Sequence, residues 1–130
     1  MRKPDPAVEW IRVAEEDYQG ALDLARRRKD PLPNAVCFHC QQCVEKYLKA
    51  IMARHGIEPP RIHSLLNLNK SCVSIDSSFL LIADLLERLD PYSVETRYPG
   101  HPLELEDARE ALDAMKQARQ FIRAKLGLGK

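Results

Sequence analysis

The sequence predicts an all-α protein, an up-and-down helical bundle of four longer helices and one short helix. Apolar residues recur at steps of three and four along most of the chain, and no stretch shows the alternation of a half-buried strand. Prolines and glycines separate the periodic stretches and so set the helix boundaries. The length of 130 residues suits one domain, so we expect a single bundle over residues 1–130.

Composition narrows the range of functions. Lys and Arg number 20 and Asp and Glu number 19, which leaves a formal net charge of +1. Near neutrality argues against a strongly basic nucleic-acid binder, although a local basic cleft stays compatible with it. No apolar run approaches the roughly 20 residues that span a bilayer, and the start MRKPDPAVEW lacks the apolar stretch of a signal peptide. We therefore expect a cytoplasmic protein with reduced cysteines and no membrane contact.

The first two helices have clear boundary signals. Asp5 and Pro6 are typical of an N-cap followed by proline at the first helical position, and the basic run 26–29 closes the helix. The residues that we expect this helix to bury are Val8, Ile11, Ala14, Tyr18, Leu22 and Ala25. The second helix covers residues 34–55 and ends at Gly56.

The remaining elements are predicted from the same kinds of boundary signal. We expect a short helical turn over 64–70, a longer helix over 77–89 and a last helix over 104–126 that ends at Gly127. Between the last two lies the segment 90–103, whose three prolines and lack of period predict a loop. Loops of this length inside compact domains are often functional.

The second helix contains CFHCQQCVEKYLKA, which places Cys37, Cys40 and Cys43 at steps of three. On a helical wheel all three share the apolar face, where free cysteine behaves as a small hydrophobe. A zinc site needs four ligands in a tetrahedron, whereas these thiols climb along the helix axis. We therefore interpret them as core residues and expect no metal and no other cofactor. A metal or redox site built on them is the alternative.

The opposite face of the second helix is polar. It carries Gln42, Glu45, Lys46 and Lys49, here called the polar stripe. A solvated face with an ion pair between Glu45 and Lys49 is one interpretation. Because this is the most apolar helix, the stripe also suggests a cleft or a subunit interface.

Three side chains of the second helix lie outside its core face and need another surface to cover them: Phe38, His39 and Met52. They predict a C2 homodimer with this helix near the interface.

These residues resemble the HEPN domain family (higher eukaryotes and prokaryotes nucleotide-binding). CFHCQQCVEKYLKA is similar to the family's hallmark helix, with Cys40 and Cys43 at positions that are usually alanine. AEEDYQGA at 14–21, HSLLNL at 63–68 and YSVETRYPG at 92–100 are similar to three further family segments. The matches occur in the family order and span nearly the whole chain.

The resemblance implies a homodimeric bundle that is often encoded beside a minimal nucleotidyltransferase and acts with it as a toxin–antitoxin pair. Active members are metal-independent ribonucleases with an Arg-x4–6-His motif at the start of the last helix. Here three residues separate Arg97 from His101, so the spacing departs from that motif. As an endoribonuclease, the protein would use Arg97 as the phosphate clamp and His101 as the general base.

The sequence is compatible with two functions. In the first, RNA or a nucleotide binds the chain through Gln42, Glu45, Lys46, Lys49, Tyr92 and Tyr98, with the tyrosines stacking on bases. In the second, the chain is a non-catalytic module for dimerisation and partner binding, and Arg97 pairs with Glu45 or Glu95. In either case we expect Arg97 to face the polar stripe, because a long polar loop and a polar helix face satisfy each other.

Overall fold

The computed structural model describes residues 4–100 and 102–130. Five α-helices form the bundle: α1 (Ala7–Ala25), α2 (Pro33–Arg54), α3 (Leu65–Ile75), α4 (Ala83–Leu89) and α5 (Leu105–Lys125). The described ranges contain no strand, so the predicted all-α bundle is confirmed. Among these helices none is both long and apolar enough to cross a membrane.

Helix α2 is the centre of the molecule and packs against α1, α3 and α5. The helix face that carries the three cysteines lies in the core as predicted, and the following residues on it are at most 2% exposed: Val36, Cys37, Cys40, Cys43, Val44, Tyr47, Leu48 and Ile51. Met52 is only 1% exposed, so the expectation that it needs a second subunit is wrong. Neighbouring helices cover α2 on several sides, which widens its buried surface beyond one arc.

Helix α1 approaches α2 through alanines. Ala7, Ala14 and Ala21 are fully buried and stand at intervals of seven residues, so they lie along one line of the helix. Val8, which we expected in the core, is 55% exposed, and Ala25 is exposed as well. Small side chains let the two backbones come close, and the larger apolar residues of α1 therefore lie at the edges of the contact.

The start of α1 and the end of α2 lie close to the signals that the sequence carries. Asp5 accepts a hydrogen bond from the Ala7 N–H at 2.9 Å, and α1 begins at Ala7 with Pro6 as its N-cap, one residue later than predicted. Gly56, with φ +75°, takes the left-handed conformation after α2. Helix α3 runs to Ile75, beyond the predicted end at 70, and the segment 77–82 is a 3₁₀-helix that precedes a short α4. Helix α3 is therefore the longer of the two and α4 the shorter, the reverse of the prediction.

The segment 90–103 is more ordered than the predicted loop. It contains two 3₁₀-helices, Asp90–Ser93 and Glu95–Arg97. The Asp90 carboxylate accepts a hydrogen bond from the Leu65 N–H at 2.7 Å, which anchors the start of the segment to α3. At the other end, the Leu103 N–H donates to the Asn34 side chain at 3.4 Å. Both anchors hold Arg97 beside the first turns of α2.

Candidate functional site

The four cysteines lie in the core, as predicted for the three of α2. Cys37, Cys40, Cys43 and Cys72 are free thiols and are fully buried. Burial raises the pKa of Cys37 and of Cys72 to about 12, and it raises the pKa of Cys40 and Cys43 as well. Thiols that stay protonated and inaccessible are poor nucleophiles. Across the described residues, no three His, Cys, Asp or Glu side chains cluster as metal ligands do.

We expect Cys40→Ala and Cys43→Ala to lower the free energy of unfolding by about 1 kcal/mol or less each, because the exchange leaves only a small cavity. Urea denaturation of each variant measures this directly. Alkylation of the native protein at pH 8 should leave all four thiols unmodified until urea is added. Rapid native alkylation of Cys40 or Cys43 would contradict the core interpretation.

The polar stripe is largely inside the protein. The side chains of Glu45 and Lys49 are 4% and 6% exposed, and Lys49 Nζ lies 3.2 Å from Glu45 Oε2, so the predicted ion pair forms but in a buried setting. Glu45 also accepts a hydrogen bond from Gln42 at 3.0 Å and lies 3.1 Å from His63 Nδ1. These contacts join α2 to the segment before α3. Lys46 has the most exposed side chain of the polar stripe.

A second polar network joins α1 to α2. Asp17, whose side chain is 10% exposed, lies 2.8 Å from His39 Nδ1 and accepts a hydrogen bond from Lys46 Nζ at 2.6 Å. Burial by itself raises the pKa of Asp17, but the hydrogen bonds from His39 and Lys46 outweigh it, and the pKa falls below its ordinary value. Asp17 is therefore a carboxylate. Sequence reasoning missed this network, although His39 and Lys46 stand seven residues apart on one side of α2.

Arg97 lies beside the N-terminal end of α2, away from the buried residues of the polar stripe. Its guanidinium is 5.7 Å from the centre of the Phe38 ring. Both residues line a cavity of about 640 Å³, together with Pro31, Leu32, Pro33, Asn34, Ala35 and Thr96. In the described part of the chain Arg97 makes no ion pair with Glu45 or Glu95. Glu45 stands seven residues beyond Phe38, which is about 10 Å along the helix, and its oxygens already have partners.

The other predicted residues of this segment are spread out. Tyr98 is 64% exposed, which leaves its ring open to a ligand. Tyr92 is half-buried, and burial raises its pKa to about 12. Its carbonyl oxygen accepts a hydrogen bond from the Thr96 hydroxyl at 2.7 Å, which places its backbone inside the segment. His101 lies outside the described residues.

A third polar cluster connects α1, α2 and α5, and sequence reasoning did not predict it. Arg119 donates two hydrogen bonds to Glu15, at 2.8 and 2.7 Å, and its guanidinium lies 3.9 Å from the centre of the Tyr18 ring. The Tyr47 hydroxyl donates to Glu15 at 2.6 Å and accepts from Arg123 at 3.0 Å. A two-point arginine–carboxylate contact of this kind fixes the relative position of the helices.

The fold and its polar clusters define a small helical bundle with a charged central helix. The model of the HEPN domain matches residues 7–128. The chain is 31% identical over 140 residues to a protein of Methanocaldococcus jannaschii named "Putative toxin MJ1304", in a match that covers 92% of this chain and 90% of that protein. It also superposes on the crystal structure of TT1696 from Thermus thermophilus with a TM-score of 0.75 and 25% identity, covering 94% and 99% of the two chains. The chain belongs to the HEPN domain family.

Proposed function

We propose that this HEPN protein is of the toxin type and that it binds and cleaves RNA, without a metal ion, where Arg97 lies over Phe38. The similarity to the M. jannaschii protein supports the toxin assignment. Cleavage through the 2′-hydroxyl needs a base near neutral pKa and a cation for the phosphate. In this proposal Arg97 is that cation and His101 is the base.

The observation that carries this proposal is the combination of an exposed arginine, an aromatic ring and an open cavity. Arg97 is exposed, and Phe38 beneath it is half-buried. The adjoining cavity of about 640 Å³ is large enough for a nucleoside. Tyr98, next to Arg97 in the chain, supplies a second exposed ring for stacking on a base. A phosphate on Arg97 and a base against these rings match the two halves of a nucleotide.

The proposal includes two partners. We propose a homodimer in which the outer side of α2 from one subunit faces that of the other, so that two Arg97 segments share one cleft. A minimal nucleotidyltransferase is the proposed antitoxin partner. Lys46, the most exposed residue of the polar stripe, lies farther along α2 and would extend the RNA path, whereas Gln42, Glu45 and Lys49 are buried.

A second function is favoured by apolar side chains at the same end of the bundle. Leu32 and Leu105 are 41% and 60% exposed and line a neighbouring cavity of about 280 Å³. Val94, just before the Arg97 helix, is 59% exposed. Exposed apolar groups of this kind are typical of protein contacts. In this alternative the protein is a non-catalytic module that dimerises and holds its partner.

Arg97→Ala tests the proposed function. We expect purified wild-type protein to cleave single-stranded RNA in the presence of EDTA, and we expect the variant to bind RNA about tenfold or more weakly, because a charge-assisted contact is lost. Arg61→Ala, which removes an exposed arginine between α2 and α3, is the matched control and should change nothing.

Three results would decide between the two functions. RNA binding and cleavage that depend on Arg97 support the ribonuclease. A wild-type protein that shows neither, while light scattering gives the mass of a dimer, supports the non-catalytic module. RNA binding that Arg97→Ala and Arg61→Ala weaken equally contradicts the location of the site.

A further inference from the structure

His39 is held in a defined orientation by a buried carboxylate. Its Nδ1 lies 2.8 Å from Asp17 Oδ1. An ionised carboxylate only accepts hydrogen bonds, so Nδ1 must carry the proton of a neutral imidazole. The second nitrogen, Nε2, then has a free lone pair. This is the arrangement in which a carboxylate orients a histidine for proton transfer.

The surroundings leave this second nitrogen accessible. The His39 side chain is 33% exposed, and within the described residues its Nε2 has no hydrogen-bond partner. Gly20 of α1 lies under the ring, 3.7 Å from Nδ1 when measured from the position that its Cβ would take. A Cβ at position 20 would make ordinary van der Waals contact with the imidazole. Lys46, 26% exposed, completes the group with its positive charge.

His39 and Arg97 both lie near the ring of Phe38. The rings of His39 and Phe38 meet edge to face, with their centres 5.7 Å apart. The Arg97 guanidinium is also 5.7 Å from the centre of the Phe38 ring. A nucleotide stacked near Phe38 would therefore lie close to both a cation and an oriented imidazole.

We propose that His39, in place of His101, is the catalytic base of the RNA site, with Asp17 as its positioning residue; this rests on the proposed binding and cleavage of RNA beside Arg97. His39 Nε2 takes the proton of a ribose 2′-hydroxyl, and the 2′ oxygen attacks the neighbouring phosphorus. The bond from phosphorus to the 5′ oxygen breaks, and that oxygen takes a proton from water, while the imidazolium returns its proton to solvent. The products are a 2′,3′-cyclic phosphate and a 5′-hydroxyl. Lys46 and Arg97 balance the phosphate charge.

One substitution distinguishes a structural role of His39 from its proposed catalytic role. In His39→Asn the amide nitrogen stands near the place of Nδ1 and still donates to Asp17, but nothing replaces Nε2. We expect cleavage to fall by about 10²-fold or more, with RNA affinity and melting temperature close to wild type. His55→Asn is the control, because His55 is a histidine that directly follows the far end of α2. Full cleavage by His39→Asn would overturn the proposal.

A second measurement does not depend on turnover. Diethyl pyrocarbonate labels unprotonated histidine nitrogens, and mass spectrometry identifies each labelled residue. We expect labelling of His39 in the free protein and protection by a 2′-O-methyl RNA oligonucleotide, which binds but is not cleaved. An oligonucleotide that binds through Arg97 without protecting His39 overturns this inference and leaves the proposed function standing. A wild-type protein that neither binds the oligonucleotide nor cleaves RNA overturns both.

Discussion

Glu45→Ala should lower the free energy of unfolding by about 3–5 kcal/mol, because it leaves a buried ammonium group without its counter-charge. Lys49, with a side chain only 6% exposed, has Glu45 as its ion-pair partner at 3.2 Å. The Trp10 ring, 5.5 Å from Lys49 Nζ, offers only a weaker cation–π contact. The substitution also removes one of the two acceptors for Gln42 and the partner of His63. Urea denaturation followed by circular dichroism measures the loss.

A double substitution isolates the cause. In Glu45→Ala/Lys49→Met no buried charge remains, so we expect much of the lost stability to return. Glu9→Ala removes a carboxylate that pairs with Arg12 on the surface, where both side chains are more than half exposed. This control should cost less than about 1 kcal/mol. If Glu45→Ala proves as mild as Glu9→Ala, the buried ion pair does not stabilise the bundle.

Glu15→Ala is expected to cost about 2–3 kcal/mol, because three side chains lose their common acceptor or counter-charge. Arg119 holds Glu15 with two hydrogen bonds, Tyr47 donates a third, and Arg123 lies 3.6 Å away. The Glu15 side chain is 29% exposed, so water can partly replace these contacts, and the cost stays below that of Glu45→Ala. Arg119→Lys keeps the charge but loses the two-point contact and should be intermediate.

The same cluster predicts how stability depends on pH. Burial raises the pKa of Glu15, but the hydrogen bonds from Arg119 and Tyr47 outweigh it, so the folded-state pKa lies below the ordinary value of 4.5. Its contribution is therefore complete above pH 4.5 and is lost as the pH falls through the lower folded-state pKa. The difference in stability between wild type and Glu15→Gln should shrink over that acid range. A difference that stays constant on acidification would contradict the pairing.

These stabilising clusters and the proposed RNA site occupy different parts of the bundle. Glu15 and Glu45 have their partners inside the helix packing, whereas Arg97 is exposed on a 3₁₀-helix beside the first turns of α2. His39 contacts Asp17 of α1 and the ring of Phe38, which lines the Arg97 cavity. Variants of Arg97 should therefore alter RNA binding with little effect on folding. Variants of Glu45 should do the reverse.

The sequence alone determined the helical class, the core face of α2 and the roles of the cysteines. Periodicity is a local property of the chain, and a helix that carries Cys37, Cys40 and Cys43 among aliphatic residues has one way to bury them. Gly56 and Gly127 end their helices as predicted, because each takes a positive φ that other residues avoid. The resemblance to the HEPN family also came from local motifs.

Only the tertiary structure decided which polar residues meet. Asp17 and His39 are 22 residues apart in the chain, and Glu15 and Arg119 are 104 apart, so no spacing rule connects them. The sequence suggested that Arg97 faces the polar stripe, whereas helix packing buries Glu45 and Lys49 and leaves Arg97 over Phe38. A local pattern assigns a side chain to a face of its own helix, but the neighbouring helices decide whether that face meets water, a partner charge or a ring.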